Sequence, residues 1–262
     1  MKSLLTFILI AINLGVTGCG IHAMQNSSIP RGTPISPHEE YQVAQMLVDK
    51  DEEIKSFRGL YRSSFEHKKE SWKARQAVVF QKPDKLRIEA LPLVGVATIS
   101  LLVARQGVAT YLDVPNKKAY QGSAESDFFN QFLKVSASER ELMSLFVGRI
   151  PARYLNAVQI RSIGDSYSVS RGGYLWKINK STLLCSYAEV KDSFNEKIIF
   201  SIEYGSPIQI NKTSVSVPNS IKIISHRDSS TAHGELVSAE INSSINSTLF
   251  DQKIPVDFSK RG

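Results

Sequence analysis

Hydrophobic and polar residues alternate along most of the chain, a pattern typical of antiparallel strands with one buried face and one solvated face. The segment KLRIEAL places Leu86, Ile88 and Ala90 on one face and charged residues on the other. An apolar segment at 98–122 divides into three short strands separated by turns, and the alternation returns between 157 and 245. The pattern therefore predicts a mainly β fold.

A helical period replaces the alternation at the start of the globular part of the chain. Ser36 followed by Pro37 is typical of a helix start, because serine caps the free backbone N–H groups and proline suits the first turn. We predict a helix over 37–56, with one face formed by Tyr41, Ala44, Leu47 and Ile54. The period changes to alternation after Phe57.

Residues 123–147 interrupt the strands with two amphipathic segments, SAESDFFNQFL and SASERELMSLFVG. Ser138 and Glu141 have the spacing of a capping box, in which each residue's side chain bonds to the other's backbone. Gly148 followed by Pro151 indicates a helix end. We predict an α+β fold in which a single antiparallel sheet wraps around short helices.

Composition favours one large domain. The chain has 262 residues, 42% of them hydrophobic, which is enough to form a full core. We find no internal repeat and no linker long enough to separate two domains. The net charge of +7 is spread along the chain, which favours a protein working beside anionic lipid headgroups over one binding nucleic acid.

The N-terminus has the features of an exported lipoprotein. One cation, Lys2, precedes an apolar run from Leu4 to Val16 that is too short to span a bilayer comfortably. The next residues, ending in Cys19, resemble the bacterial lipobox, in which the cysteine thiol receives a diacylglyceryl group. Gly20 follows where an aspartate would favour retention in the inner membrane, so we expect a lipid anchor in the outer membrane, facing the periplasm.

The segment DKLRIEALPLVGVATISLLVARQGVATYLDVPNKKAYQG, followed by LMSLFVGRIP, resembles the outer-membrane lipoprotein receptor family LolB and its lipoprotein-sorting relatives. The similarity covers about 38–245 and is firmest over 71–152. It implies an incomplete antiparallel β-barrel wrapped around short lid helices, with an apolar cavity that receives acyl chains. It also implies a membrane-facing loop, here Pro92, Leu93, Val94 and Gly95, in which Leu93 and Val94 are both candidates for the projecting side chain.

These features divide the chain into four parts: a signal peptide at 1–18, an acylated anchor and tether at 19–35, a half-barrel domain at 36–250 and a tail at 251–262. We expect a monomer whose partners are acyl chains of lipoproteins or lipids, the membrane, and a periplasmic carrier similar to LolA. Four aromatic residues are candidates for the cavity wall, with ordinary core packing as the alternative for each: Trp72, Phe80, Trp176 and Phe200.

Catalysis has no support in the sequence. Ser166 follows Gly164 and Asp165, which resembles one block of an esterase family, but no histidine follows an aspartate at the required spacing, and a turn between strands explains the motif better. The five histidines have no metal-ligand spacing, and we expect no cofactor and no metal. Cys185 is expected to be a buried apolar residue.

Two functions remain open on the sequence alone. One is a lipid-handling receptor that accepts lipoproteins and helps to insert them in the outer membrane. The other is an anchored accessory subunit of an envelope assembly that uses the same fold only as a docking surface. A bound acyl chain would favour the first function, and a filled interior with a stable partner would favour the second.

Overall fold

The computed structural model describes residues 29–261, apart from 31, 69, 96, 134–136, 193–194, 196 and 211–213. The α-helices in these residues are α1 (Pro37–Glu52), α2 (Ser126–Leu133) and α3 (Glu139–Phe146), and short 3₁₀ turns lie at Ala152–Tyr154 and Ser247–Phe250. The strands are, in chain order, β1 (Thr33–Pro34), β2 (Ser56–His67), β3 (Glu70–Gln81), β4 (Lys85–Leu91), β5 (Ser100–Arg105), β6 (Val108–Asp113), β7 (Lys118–Ser123), β8 (Gln159–Ile163), β9 (Ser166–Arg171), β10 (Tyr174–Asn179), β11 (Cys185–Lys191), β12 (Ile198–Tyr204), β13 (Pro207–Gln209), β14 (Ser216–Pro218), β15 (Ser220–Ser225), β16 (Ser230–Ile241) and β17 (Ser259–Arg261).

Fifteen strands form one sheet in the order β1-β8-β9-β10-β11-β12-β15-β16-β2-β3-β4-β5-β6-β7-β17. Neighbouring strands are antiparallel, except that β17 runs parallel to β7. The strands β1 and β17 form opposite edges, so the sheet is curved but open. The predicted mainly β fold, an incomplete barrel with lid helices, is confirmed. The three strands predicted within 98–122 correspond to β5, β6 and β7.

The inner face of the sheet packs against α2 and α3. Phe129 of α2 and Leu142 and Met143 of α3 are buried in the same cluster as Phe57 and Phe80 from the strands. The predicted capping box is present, since the Glu141 carboxylate accepts the Ser138 backbone N–H at 2.6 Å. The two helices thus lie inside the open barrel and cover its apolar face.

The first helix packs on the other half of the sheet. Its buried positions Val43 and Leu47 contact a second cluster that contains Ile160, Val169 and Ile178. The predicted face of this helix was partly wrong, because Tyr41 is 70% exposed. Residues four apart share a helix face, so the stripe through Val43 turns Tyr41 toward solvent.

Helix α1 also ends earlier than predicted. Its last residue is Glu52, and Ile54 lies beyond it in the inner cluster. Asn242 stops the helix, because its side-chain oxygen accepts the backbone N–H of Lys55 at 2.7 Å and that of Ser56 at 3.2 Å.

The C-terminal segment covers part of the outer face of the sheet. Phe250 is buried against Val79, Leu101 and Leu112, and β17 then extends the sheet beside β7. The residues assigned to a tail at 251–262 therefore include a strand of the main sheet. All three hydrophobic clusters lie within the described residues, so this part of the chain carries its own core. None of the described helices is long and apolar enough to cross a membrane.

Candidate functional site: two apolar cavities beneath α3

A first cavity, here called the Trp72 cavity, lies on the inner face of β2–β6, β15 and β16. Its volume is about 350 Å³, within the range of small-molecule sites in proteins. Its wall is mostly aromatic and aliphatic, with a few polar groups, and includes Tyr61, Phe65, Trp72, Tyr111, Phe132, Leu145, Phe146, Ile221 and Ile223, together with Ser63, Gln76 and His233. Trp72 stacks on Phe65 with ring centroids 5.7 Å apart and is 49% exposed, so it marks the open end of this cavity.

A second cavity, here called the Arg149 cavity, lies between α3 and strands β10, β11, β12 and β15. Its volume is about 70 Å³, smaller than that of the first. Its wall includes Leu145, Arg149, Tyr154, Tyr174, Trp176, Val190, Phe200, Ile202, Tyr204 and Ile223. Burial raises the pKa of Tyr174, and it raises that of Tyr204 more strongly, so both phenols stay neutral at physiological pH.

Two residues line both cavities. Leu145 projects from α3, and Ile223 projects from β15. The side chain of Leu145 therefore lies between the Trp72 cavity and the Arg149 cavity, which share the inner face of one sheet.

Charged groups at the edge of the Arg149 cavity are paired with each other. Glu141 accepts hydrogen bonds from the Ser138 backbone, at 2.6 Å, and from the Tyr154 hydroxyl. Arg153 lies 2.7 Å from the same carboxylate. The negative charge of Glu141 is therefore balanced by groups that also hold the start of α3 in place.

Arg149 is the positively charged residue in this wall, and it is buried, with 3% of the residue exposed. It donates from Nε to the Lys50 carbonyl at 3.2 Å and from Nη2 to the Ser216 carbonyl at 2.9 Å. Burial lowers its pKa to about 10, and the nearby carboxylates of Glu53 and Asp51 oppose that shift. Arg149 therefore stays positively charged at neutral pH.

The predicted membrane-facing loop lies at the same end of the sheet as Trp72, and none of its residues 92–95 lines the Trp72 cavity. Arg75 of β3 pairs with Leu91 of β4, so the loop after Leu91 and the start of β3 at Trp72 share one end of the sheet. We call this end the Pro92 rim, formed by Trp72 and residues 92–95. Val94 is 90% exposed and Leu93 48%, so both candidates for the projecting side chain reach solvent.

Arg75 fixes the backbone of this loop. Its guanidinium donates from Nε to the Pro92 carbonyl at 3.1 Å and from Nη2 to the Gly95 carbonyl. Gly95 has a φ of +94°, which glycine adopts without strain. The sequence analysis did not assign this role to Arg75, because a basic residue on an alternating strand gives no sign of which backbone carbonyls it will reach.

Three of the four predicted cavity residues line a cavity, and the fourth lies in the core. Trp72 lines the Trp72 cavity, and Trp176 and Phe200 line the Arg149 cavity. Phe80 is fully buried and stacks on Phe57 with centroids 5.4 Å apart, so it is a core residue and lines neither cavity. For Phe80 the alternative given by the sequence analysis, ordinary core packing, is therefore the correct one. This side chain lies where β2 and β3 pair, beneath the helices.

Three further sequence predictions concern residues other than the cavity candidates: Cys19, Cys185 and Ser166. Cys19 lies outside the described residues. Cys185 is buried, and burial raises the pKa of its thiol to about 12, so it is protonated and unreactive at neutral pH. Gly164 and Asp165 form the two-residue turn between β8 and β9, as predicted, and Ser166 begins β9.

One serine and one histidine lie close together, on β12 and just after β15. The side chains of Ser201 and His226 are 3.0 Å apart, but Ser201 is buried and lines neither cavity.

Arg149 is the main site residue that sequence reasoning missed. It follows the glycine that ends α3, where a basic residue normally faces solvent. Only the approach of α1 and of the β13–β14 hairpin buries it. The sequence carries no signal for either contact.

The fold and the cavities define a class of protein: an open antiparallel barrel that holds helices over an apolar interior. The chain matches no protein-family model and no curated protein sequence, whereas solved structures share its fold. It is similar to a DUF1329 family protein from Desulfovibrio piger, with a TM-score of 0.61, 12% identity, and coverage of 83% of this chain and 97% of that one.

Two further solved structures share the fold. A protein described as an outer membrane lipoprotein-sorting domain from Vibrio parahaemolyticus has a TM-score of 0.61 and 9% identity, covering 82% of this chain and 97% of its own. A LolA superfamily protein from Nitrosomonas europaea has a TM-score of 0.54 and 12% identity, covering 79% and 96%. The chain therefore has a LolA-like fold, and at these identities the likeness concerns the fold alone.

Proposed function

We propose that the protein is a non-catalytic, lipid-anchored envelope protein that binds acyl chains beneath α3 and helps to receive or insert lipoproteins in the outer membrane. The observation that carries this proposal is the Trp72 cavity, an apolar space of about 350 Å³ that opens beside exposed apolar side chains. Burying about ten methylene groups at roughly 0.8 kcal/mol each, less several kcal/mol for association, corresponds to micromolar affinity or somewhat weaker.

The position of the Pro92 rim supports a role at a membrane. Leu93 and Val94 are exposed apolar residues at the end of the sheet where Trp72 is also exposed, and a lipid bilayer at this end would cover them. An acyl chain leaving the Trp72 cavity at this end would enter the bilayer directly. The structurally similar Vibrio parahaemolyticus protein, described as an outer membrane lipoprotein-sorting domain, agrees with this role.

Binding can be measured with a chain that begins at Gly20, purified without detergent. The uncharged fluorophore N-phenyl-1-naphthylamine should bind saturably, and hexadecanol or a triacylated cysteinyl peptide should displace it at micromolar concentrations. Ile223→Trp should weaken binding at least about tenfold, because the indole ring fills space that both cavities share.

Ile224→Trp provides the matched control. Successive residues on a strand point to opposite faces, so the same ring at the next position of β15 leaves both cavities open. Binding should then match that of the unaltered protein. An unaltered protein that binds neither the fluorophore nor the acylated peptide would refute the acyl-binding proposal and favour an accessory docking subunit.

A further inference from the structure

The Arg149 side chain carries a positive charge into a largely apolar cavity, and one of its hydrogen-bond donors there is unused. Its Nε and Nη2 atoms bond to backbone carbonyls, but Nη1 is buried and has no hydrogen-bond partner among the described residues. A buried donor of a charged group without a partner is costly, and native structures leave few of them. We therefore expect a bound ligand to supply the hydrogen-bond acceptor that Nη1 lacks.

The charges around Arg149 do not balance. The buried and half-buried cluster where α1 ends holds three cations, Lys50, Lys82 and Arg149, against two carboxylates, Asp51 and Glu53. Lys50 lies 2.6 Å from Glu53, and Lys82 lies 2.8 Å from Asp51, whereas Arg149 is 3.8 Å from Glu53. Each carboxylate thus has a closer partner than Arg149, and one positive charge is left over.

Neighbouring charges on the far side of the cavity do not supply the missing anion. Glu141 also lines this space, but its carboxylate is already engaged by Ser138, Tyr154 and Arg153. The remaining wall is formed largely by aromatic and aliphatic side chains. An anion beside Arg149 would therefore be the head of a molecule whose body is apolar.

We propose that the Arg149 cavity binds the head group of a single-chain anionic amphiphile, a long-chain carboxylate or phosphate, with one head-group oxygen accepting from Nη1 of Arg149. This inference rests on the proposed acyl-binding function and adds the class of ligand. A neutral carbonyl of a triacylated lipoprotein would accept from Nη1 but leave the positive charge of Arg149 unbalanced, so the proposed anionic ligand differs from the lipoprotein cargo.

The size of the cavity determines where the chain of this ligand lies. A volume of about 70 Å³ holds a head group and only a short piece of chain. Leu145 and Ile223 also line the Trp72 cavity, so the chain continues past Leu145 into the larger space. Binding thus requires Leu145 to move aside, and the ligand then fills both cavities.

The test compares head groups at constant chain length. Palmitate, hexadecanol and palmitoyl lysophosphatidate compete with N-phenyl-1-naphthylamine for the chain that begins at Gly20, at about pH 8, where the anions and Arg149 are all charged. At least one anion should displace the fluorophore at a concentration about tenfold to a hundredfold below that of hexadecanol, the range expected for a hydrogen bond to a charged group. The stronger of the two anions identifies carboxylate or phosphate as the head group.

Variants assign this preference to one side chain. Arg149→Gln should remove the preference for anions while hexadecanol still competes, and Arg149→Lys should keep part of it. Arg227→Gln is the control, since it removes one positive charge from an exposed arginine that lines neither cavity, and it should leave the preference unchanged. A preference that survives in Arg149→Gln would overturn the assignment.

Two results separate this inference from the proposed function. Equal displacement by hexadecanol and both anions overturns the inference alone, whereas no displacement by any of the three compounds overturns both proposals. If Arg149→Gln does not fold, palmitate labelled with carbon-13 at its carboxyl provides a test in the unaltered protein. A carboxyl bound to Arg149 should titrate with a pKa below its free value, and an unshifted or raised pKa would contradict the inference.

Discussion

The side chains of Leu93 and Val94 are exposed to solvent, whereas hydrogen bonds from Arg75 fix the backbone of their loop. Arg75 bonds to carbonyls on both sides of this pair, so the loop presents its two apolar side chains in a fixed position. Because both are exposed, a change of polarity here affects what the loop contacts and leaves the core untouched.

We expect the double variant Leu93→Glu with Val94→Glu to keep its stability and lose delivery of lipoprotein to liposomes. Exposed substitutions change stability by little, so the melting temperature should fall by less than about 3 °C. Two carboxylates at the tip would oppose insertion among lipid chains, while acceptance of cargo should persist because the cavity is unchanged. Thermal unfolding and transfer of a labelled lipoprotein to liposomes measure the two effects.

The control for this variant is Val256→Glu, which places a carboxylate at a fully exposed valine of the C-terminal segment. Delivery by this variant should equal that of the unaltered protein. A large fall in melting temperature for the double variant, or normal delivery by it, would show that the loop does not meet the membrane.

Three elements meet at the end of α1 through one buried carboxylate. Asp51 accepts from the Ser144 hydroxyl of α3 at 2.9 Å and from the Ala152 backbone N–H at 3.3 Å, and it pairs with Lys82 at 2.8 Å. The contact thus joins α1 to α3, to the 3₁₀ turn at Ala152–Tyr154 and to the turn between β3 and β4.

Asp51→Asn should destabilise the protein by about 3 kcal/mol, because the half-buried ammonium of Lys82 keeps its bond to the Asp51 backbone carbonyl but loses the carboxylate that balances its charge. That loss corresponds to a fall in melting temperature of about 6–12 °C for a chain of this size. Glu52→Gln removes a charge from the next position, which is exposed, and should change the melting temperature little. Equal melting temperatures for the two variants would show that the Asp51 contact contributes little to stability.

At the scale of the whole molecule, the anchor and the charge act together. A net charge of +7 favours association with anionic headgroups, and the expected acyl chains on Cys19 would hold the domain permanently at a membrane. The first strand of the described chain is β1, which pairs with β8 at the edge of the sheet. The tether therefore joins the domain at an edge strand.

Labelled palmitate fed to a bacterial host should enter the unaltered chain and not Cys19→Ala, because the thiol is the site of acylation. The variant should still fold, since the described core does not include residue 19. Cys185→Ala is the control and should be labelled normally, because that thiol is buried. Equal labelling of the unaltered chain and Cys19→Ala would reject the lipobox.

Periodicity and capping chemistry determined most of the secondary structure. The alternation around KLRIEAL predicted β4, because a one-sided sheet needs apolar residues at every second position. Ser138, Glu141 and Gly148 predicted both ends of α3, because local hydrogen bonds and a positive φ decide where a helix begins and ends. These features depend on neighbours in sequence, so the sequence alone contains them.

Contacts between distant segments decided the cavities and their charges. Trp72, Phe80, Trp176 and Phe200 follow the same alternation, yet only the curvature of the sheet and the position of α3 leave Phe80 in the core and the others on cavity walls. Arg149 is buried because α1 and the β13–β14 hairpin approach it from 99 and 67 residues away. The sequence by itself determined the strands, the helix ends and the amphipathic faces, whereas tertiary packing determined which apolar faces leave space between them and which charge remains without a partner.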